Sequence, residues 1–151
     1  MKSNLGLINL DNLQSDEHLV LTIDYEMSSN KRFYLIIKGN YLIVAGKYFS
    51  KLKKIWRSNQ REFPLQSLPW IVDRIENVFW KKPADGGLSD FERSVSNEFE
   101  GEKVGVNVMM HCCSENMHGF NIWNSIRKDY IADIPPHEWN IPDYMLKDGL
   151  L

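Results

Sequence analysis

Residues 19–26, LVLTIDYE, set Leu19, Leu21, Ile23 and Tyr25 against Val20, Thr22, Asp24 and Glu26. That period of two is the signature of a half-buried strand. A polar turn, MSSNK, leads to two further strand patterns, RFYLIIK at 32–38 and YLIVA at 41–45. Gly39-Asn40 joins them with residue types suited to the positive φ of a two-residue hairpin loop. The alternation fades in both runs, which predicts strands covered on both faces.

The period then changes. In 47-KYFSKLKKIWRSNQ-60, Tyr48, Phe49, Leu52, Ile55 and Trp56 recur at helical spacing, with bases on the remaining arc. A second helix is predicted over 67-SLPWIVDRIENVFW-80, with Ser67 as N-cap and Pro69 in the first turn. Its buried stripe is Leu68, Ile71, Val72, Ile75, Val78 and Phe79. After a KKPADGG loop, residues 89–96 suit either a short helix capped by Ser89 or an irregular excursion. The alternating run KVGVNVMMHC from 103 and FNIWN at 120–124 predict a second hairpin. Residues 1–16 read as irregular, and from 127 the prolines at 135, 136 and 142 break the tail, with room for a short helix near 142–148. Strands and helices segregate along the chain. The expectation is therefore one α+β domain over 1–151, a mainly antiparallel β-sheet with two central amphipathic helices packed on it.

Composition changes this picture little: 151 residues, 43% apolar and 25% charged, describe an ordinary globular chain. Charge distribution changes it more. The net charge is −2, yet residues 1–80 sum to +3 and 81–151 to −5. Residues 47–61 carry six bases and no acid, whereas 85–103 carry Asp85, Asp90, Glu92, Glu98, Glu100 and Glu102 against Arg93 and Lys103. A domain devoted to gripping nucleic acid is usually net basic, so an acidic surface facing a basic partner fits better. No apolar run approaches the roughly 18–20 residues that span a bilayer. The N-terminus lacks the pattern of a signal peptide, and adjacent Cys112 and Cys113 suit reduced thiols, so a cytoplasmic location is expected.

Candidate chemistry is sparse. His111, Cys112, Cys113 and His118 are competent zinc ligands, but three are consecutive where structural sites space ligand pairs by about two to four residues. No metal or cofactor is expected. Glu98, Glu100 and Glu102 would line one side of an extended segment, where a metal-dependent nuclease or other hydrolase would hold its ions; this is the alternative reading. A nucleic-acid-binding module using the basic 47–61 helix is a second one. Phosphate-loop, nucleophile-elbow and zincin motifs are absent, and no catalytic residue is assigned.

The run 48-YFSKLKKIWRSNQREFPLQSLPWIVDRIENVFWKKP-83, with 99-FEGEKVGVNVMM-110 and 119-GFNIWN-124, resembles immunity proteins of bacterial contact-dependent growth inhibition systems. The resemblance covers roughly the middle half of the chain and rests on framework motifs. It implies a small cytosolic antidote without catalysis, bound 1:1 to the C-terminal toxin domain of a cell-surface effector, commonly a nuclease. No family active site transfers with it. Nucleic acid, membrane and small-molecule partners are not expected. The acids Asp85, Asp90, Glu92, Glu98, Glu100 and Glu102 are the expected toxin-facing set, with Trp123 and Trp139 as aromatic anchors. Asp129, Asp133, Glu138 and Asp143 form a secondary acidic set.

Overall fold

A computed structural model of the chain describes residues 4–24, 31–50, 52–80, 94–112, 117–127, 137–143 and 146. Two four-stranded antiparallel sheets flank a helical segment. The first is a meander of β1 (Glu17–Asp24), β2 (Lys31–Lys38), β3 (Tyr41–Ser50) and β4 (Ile55–Pro64), in that order. Helix α1 (Ser67–Arg74) follows and widens into one π-helical turn over Ile75–Phe79. The second meander is β5 (Ser94–Phe99), β6 (Glu102–Cys112), β7 (Met117–Asn124) and β8 (His137–Pro142).

The β2–β3 hairpin forms as its pattern predicts. Lys38 pairs with Tyr41 across Gly39-Asn40, and Gly39 has φ +57°. Both of its strands are covered twice. Leu35, Leu42 and Val44 face the main core, while Ile36, Ile43 and Ala45 lie beneath Leu5, Ile8, Leu10 and Leu13 of the irregular N-terminal segment. That second cover explains the weak alternation.

The predicted helix at 47–60 is not formed. Its residues build the end of β3, a turn and most of β4. Phe49 pairs with Trp56 and Ser50 with Ile55, and Lys54 closes the turn at φ +53°. Residues seven apart thus lie opposite one another across a hairpin, a spacing that imitates two helical turns. Only one of the two expected helices exists, and α1 is not capped by Ser67: the hydroxyl is buried and donates to the Pro64 carbonyl at 2.7 Å, while Gln66 occupies the N-cap position.

The main core joins both sheets and the helix. Ile71 and Ile75 are buried against Phe63, Val104, Val106, Phe120, Ile122, Ile141 and Leu146. Edge-on rings knit the layers: Trp70 to Phe99 at 5.6 Å and Phe33 to Trp139 at 6.2 Å. The sheets also meet where Arg61 of β4 donates through Nε to the Glu138 carbonyl of β8 at 2.6 Å. No helix among the described residues is long and apolar enough to cross a membrane, which leaves β-barrels unaddressed.

Candidate functional site

The acidic segment contains a tight hairpin. Phe99 pairs with Glu102, so Glu100 and Gly101 form the two-residue loop, with φ of +51° and +80°. Two positive φ values are what the twist-compatible hairpin turn requires. The reversal separates carboxylates that would otherwise line one side. Glu98 stays exposed on the outer face of the second sheet, opposite Lys103. Glu100 is exposed in the turn and accepts a 3.2 Å bond from the Gln66 amide. Glu102 falls on the inner face and is fully buried. It is therefore not a toxin-facing acid, and the three carboxylates do not converge as a metal-binding set would.

Glu102 belongs to a buried ionic cluster that holds the sheets together. Arg127, 1% exposed, donates through Nε to Glu102 Oε1 at 2.6 Å and through Nη1 to Glu62 Oε1 at 3.1 Å. Burial alone would lower the affinity of Arg127 for its proton. The hydrogen bond and charge of Glu102, helped by Glu62, outweigh it and hold the guanidinium above its ordinary value. Its planar group lies 4.8 Å from the Tyr41 ring centroid, a cation–π contact. Asn124 Nδ2 bridges the Glu62 carbonyl and Glu102 Oε1, each at 3.0 Å. Glu62 also accepts the Leu5 N–H, and Gln60 accepts from Ile8 and donates to Gly6. One cluster thus ties β4, β6, the end of β7 and the N-terminal segment. Sequence reasoning missed it because the first part of β4 was expected in the 47–60 helix and the rest, with Glu62, in the loop that follows. The available signal was Gln60, Glu62 and Pro64 alternating with Arg61 and Phe63.

The outer face of the second sheet is the candidate interface. Register places Ser96, Gly105, Trp123 and Glu138 in one row across β5 to β8. Ser94, Asn107, Asn121 and Asn140 form the next. The half-buried Trp123 ring lies against Gly105: a Cβ there would fall 2.0 Å from Trp123 Cζ2. Trp123 Nε1 donates to Asn107 Oδ1 at 3.1 Å, and the Ser94 hydroxyl donates to the same oxygen at 2.6 Å. Asn121 donates to Asn140 at 2.6 Å, locking the neighbouring row. Glu98 and Glu138 are both exposed on this face, on its two outermost strands about 14 Å apart by strand spacing. The indole is thereby pinned in one orientation between two carboxylate-bearing edges.

Trp139, the other expected anchor, is 2% exposed in the main core. It sits one residue from Glu138, and the strand's alternation turns it inward. Asp143 is half-buried and accepts the Trp80 indole N–H at 2.7 Å, a packing role within the fold. Asp85, Asp90, Glu92, Asp129, Asp133 and Cys113 lie outside the described residues, as do the side chains of His111 and Cys112; His118 is exposed. Among the described residues no group of three or more His, Cys, Asp and Glu side chains is arranged to hold a metal ion. Compared with known proteins, the chain matches no family model, no curated protein and no solved structure.

Proposed function

We propose that this chain is an immunity protein of the contact-dependent growth inhibition type, a non-catalytic cytoplasmic antidote that binds one cognate toxin domain 1:1. The observation that supports this most is the outer face of β5–β8, where Trp123 is immobilised between Glu98 and Glu138. A rigid aromatic inside a charged rim is the arrangement of an interface hot spot. Exposed carboxylates on a stiff sheet suit a toxin that presents lysines and arginines where a nucleic-acid phosphate would sit. Framework likeness to the immunity family agrees with this reading.

The test is co-purification. The tagged chain is co-expressed with the C-terminal domain encoded by any large effector gene immediately upstream of its own. The expected result is a stable 1:1 complex that protects cells from the toxin. A toxin domain that kills with or without this chain, and elutes apart from it, would overturn the proposal.

A further inference from the structure

The β3–β4 hairpin ends in a feature that the proposed toxin interface does not use. Its strands pair as far as Ser50–Ile55, two positions beyond the Lys31–Tyr48 pair. At that tip Leu52 is 92% exposed and Ile55 is 51% exposed. Lys53 and Lys54 between them are exposed as well, and residues 51–57 hold four bases without an acid. The turn is closed by Lys54 in the left-handed region, φ +53°, which sets the backbone that presents Leu52.

An exposed leucine this complete gains nothing in water. Scattered surface apolar residues are common, but here two of them share one turn with exposed lysines. We infer that the hairpin tip, Leu52 to Ile55, is a peripheral docking element for an anionic lipid surface. Leu52 and Ile55 would enter the headgroup–acyl boundary while the lysines stay at headgroup level, their stems along the apolar layer and their ammonium groups on lipid phosphates. Charge complementarity favours this occupant, since anionic headgroups attract lysines held at the membrane surface. Span length, which argues against a transmembrane helix, does not bear on such a contact. Neither does the toxin reading, because Glu98, Trp123 and Glu138 lie on the other sheet.

The experiment is co-sedimentation of the intact chain with vesicles of phosphatidylglycerol mixed with phosphatidylcholine, and with phosphatidylcholine vesicles alone, at low and moderate salt. Binding is expected to the anionic vesicles only and to weaken with salt. Leu52→Asp should weaken it by more than tenfold, through the loss of one buried leucine and the added negative charge at an anionic surface. Lys53→Gln combined with Lys54→Asn should weaken it by more than tenfold, at roughly fivefold per base removed. Asn is chosen because it tolerates the left-handed backbone at position 54, and unchanged circular dichroism would show that these exposed substitutions leave the fold intact. Failure of the wild type to sediment with anionic vesicles, or binding indifferent to both variants, would overturn the inference. So would tip variants that lose toxin binding in a chain that ignores vesicles, which would identify the tip as a protein-docking element.

Discussion

At the scale of single residues, the most consequential side chain is Arg127. It is one cation serving two buried carboxylates, and removing it strands negative charge where water cannot reach. Breaking such a pair by deleting one partner typically costs about 3–5 kcal/mol. Arg127→Leu is therefore expected to lose that much in urea unfolding at neutral pH. Part of the loss should return as pH falls, because the variant's folded state then takes up a proton that the unfolded chain does not need, and stability rises where the native state binds more protons. A loss that is independent of pH would show that packing, not charge, is what Arg127 supplies. Gly105 poses a steric question instead. Gly105→Ala drives a methyl into the Trp123 ring, which must leave its bed, at a cost of about 1–3 kcal/mol by the usual price of overpacking. Fluorescence reports the outcome: the Trp123 contribution should shift to the red as the indole enters water, and an unshifted spectrum would mean that the backbone yields first. Neither residue was legible as important. Arg127 stands in a segment read as a broken tail, and nothing near Gly105 in sequence names the tryptophan eighteen residues away that lies on it.

At the scale of elements, legibility followed local rules. The β2–β3 and β6–β7 hairpins were readable because alternation and turn chemistry agree there, and α1 because its stripe runs through Leu68, Ile71 and Ile75. Three elements were not. The β3–β4 tip copies helical spacing across a turn, β5 is polar at four of six positions and shows little apolar pattern, and β8 is a strand between Pro136 and Pro142. Of the candidate site, Glu98 and Trp123 were singled out from the sequence and lie on one face, but their neighbour Glu138 joins them only through strand pairing. The edge strand β1 carries a bulge between Leu19 and Leu21 and leaves Leu19 and Val20 exposed. Its N-terminal end is fastened by Glu17, whose carboxylate accepts the Gln14 N–H at 2.9 Å and the Lys38 ammonium at 3.0 Å. The Gln14 bond, opposed by burial and aided by Lys38, holds Glu17 below its ordinary 4.5. Lys38 is raised above 10.5, chiefly by its bond to Glu17. For the lowered carboxylate, the stabilisation is present above pH 4.5 and is lost as pH drops through the folded value. For the raised ammonium it is present below 10.5 and lost as pH climbs through the folded value. Glu17→Gln should therefore destabilise β1 at neutral pH, bring the variant and wild-type stabilities together in acid, and narrow the gap at high pH only by the share that Lys38 supplies. A constant gap across the whole pH range would refute the coupling.

At the scale of the whole molecule, the two meanders are covered unequally. The first has the core on one face and the N-terminal segment on the other, fastened through Gln60 and Glu62. The second has the core on one face and, on the other, a hydrogen-bonded polar row beside Trp123. A sheet with one solvated face is common, so exposure alone argues for nothing; the added feature is an indole held rigid among carboxylates. If that face receives a basic toxin, charge there should govern the rate of encounter more than charge elsewhere. Glu98→Lys and Asp11→Lys change the net charge equally, but Asp11 sits on the segment covering the first sheet, where its 3.7 Å surface pair with Lys47 contributes little. Stopped-flow association with the toxin domain should slow by about tenfold or more for Glu98→Lys, with a flatter dependence on salt. Asp11→Lys should fall far short of that, because its charge lies away from the docking face and acts through a screen of roughly 8–10 Å at physiological ionic strength. Equal slowing by the two variants would make the attraction one of net charge and remove the β5–β8 face from the encounter. Slowing confined to Glu98→Lys, together with faster dissociation of a Trp123→Ala complex, would fix both the steering rim and the anchor on the same sheet.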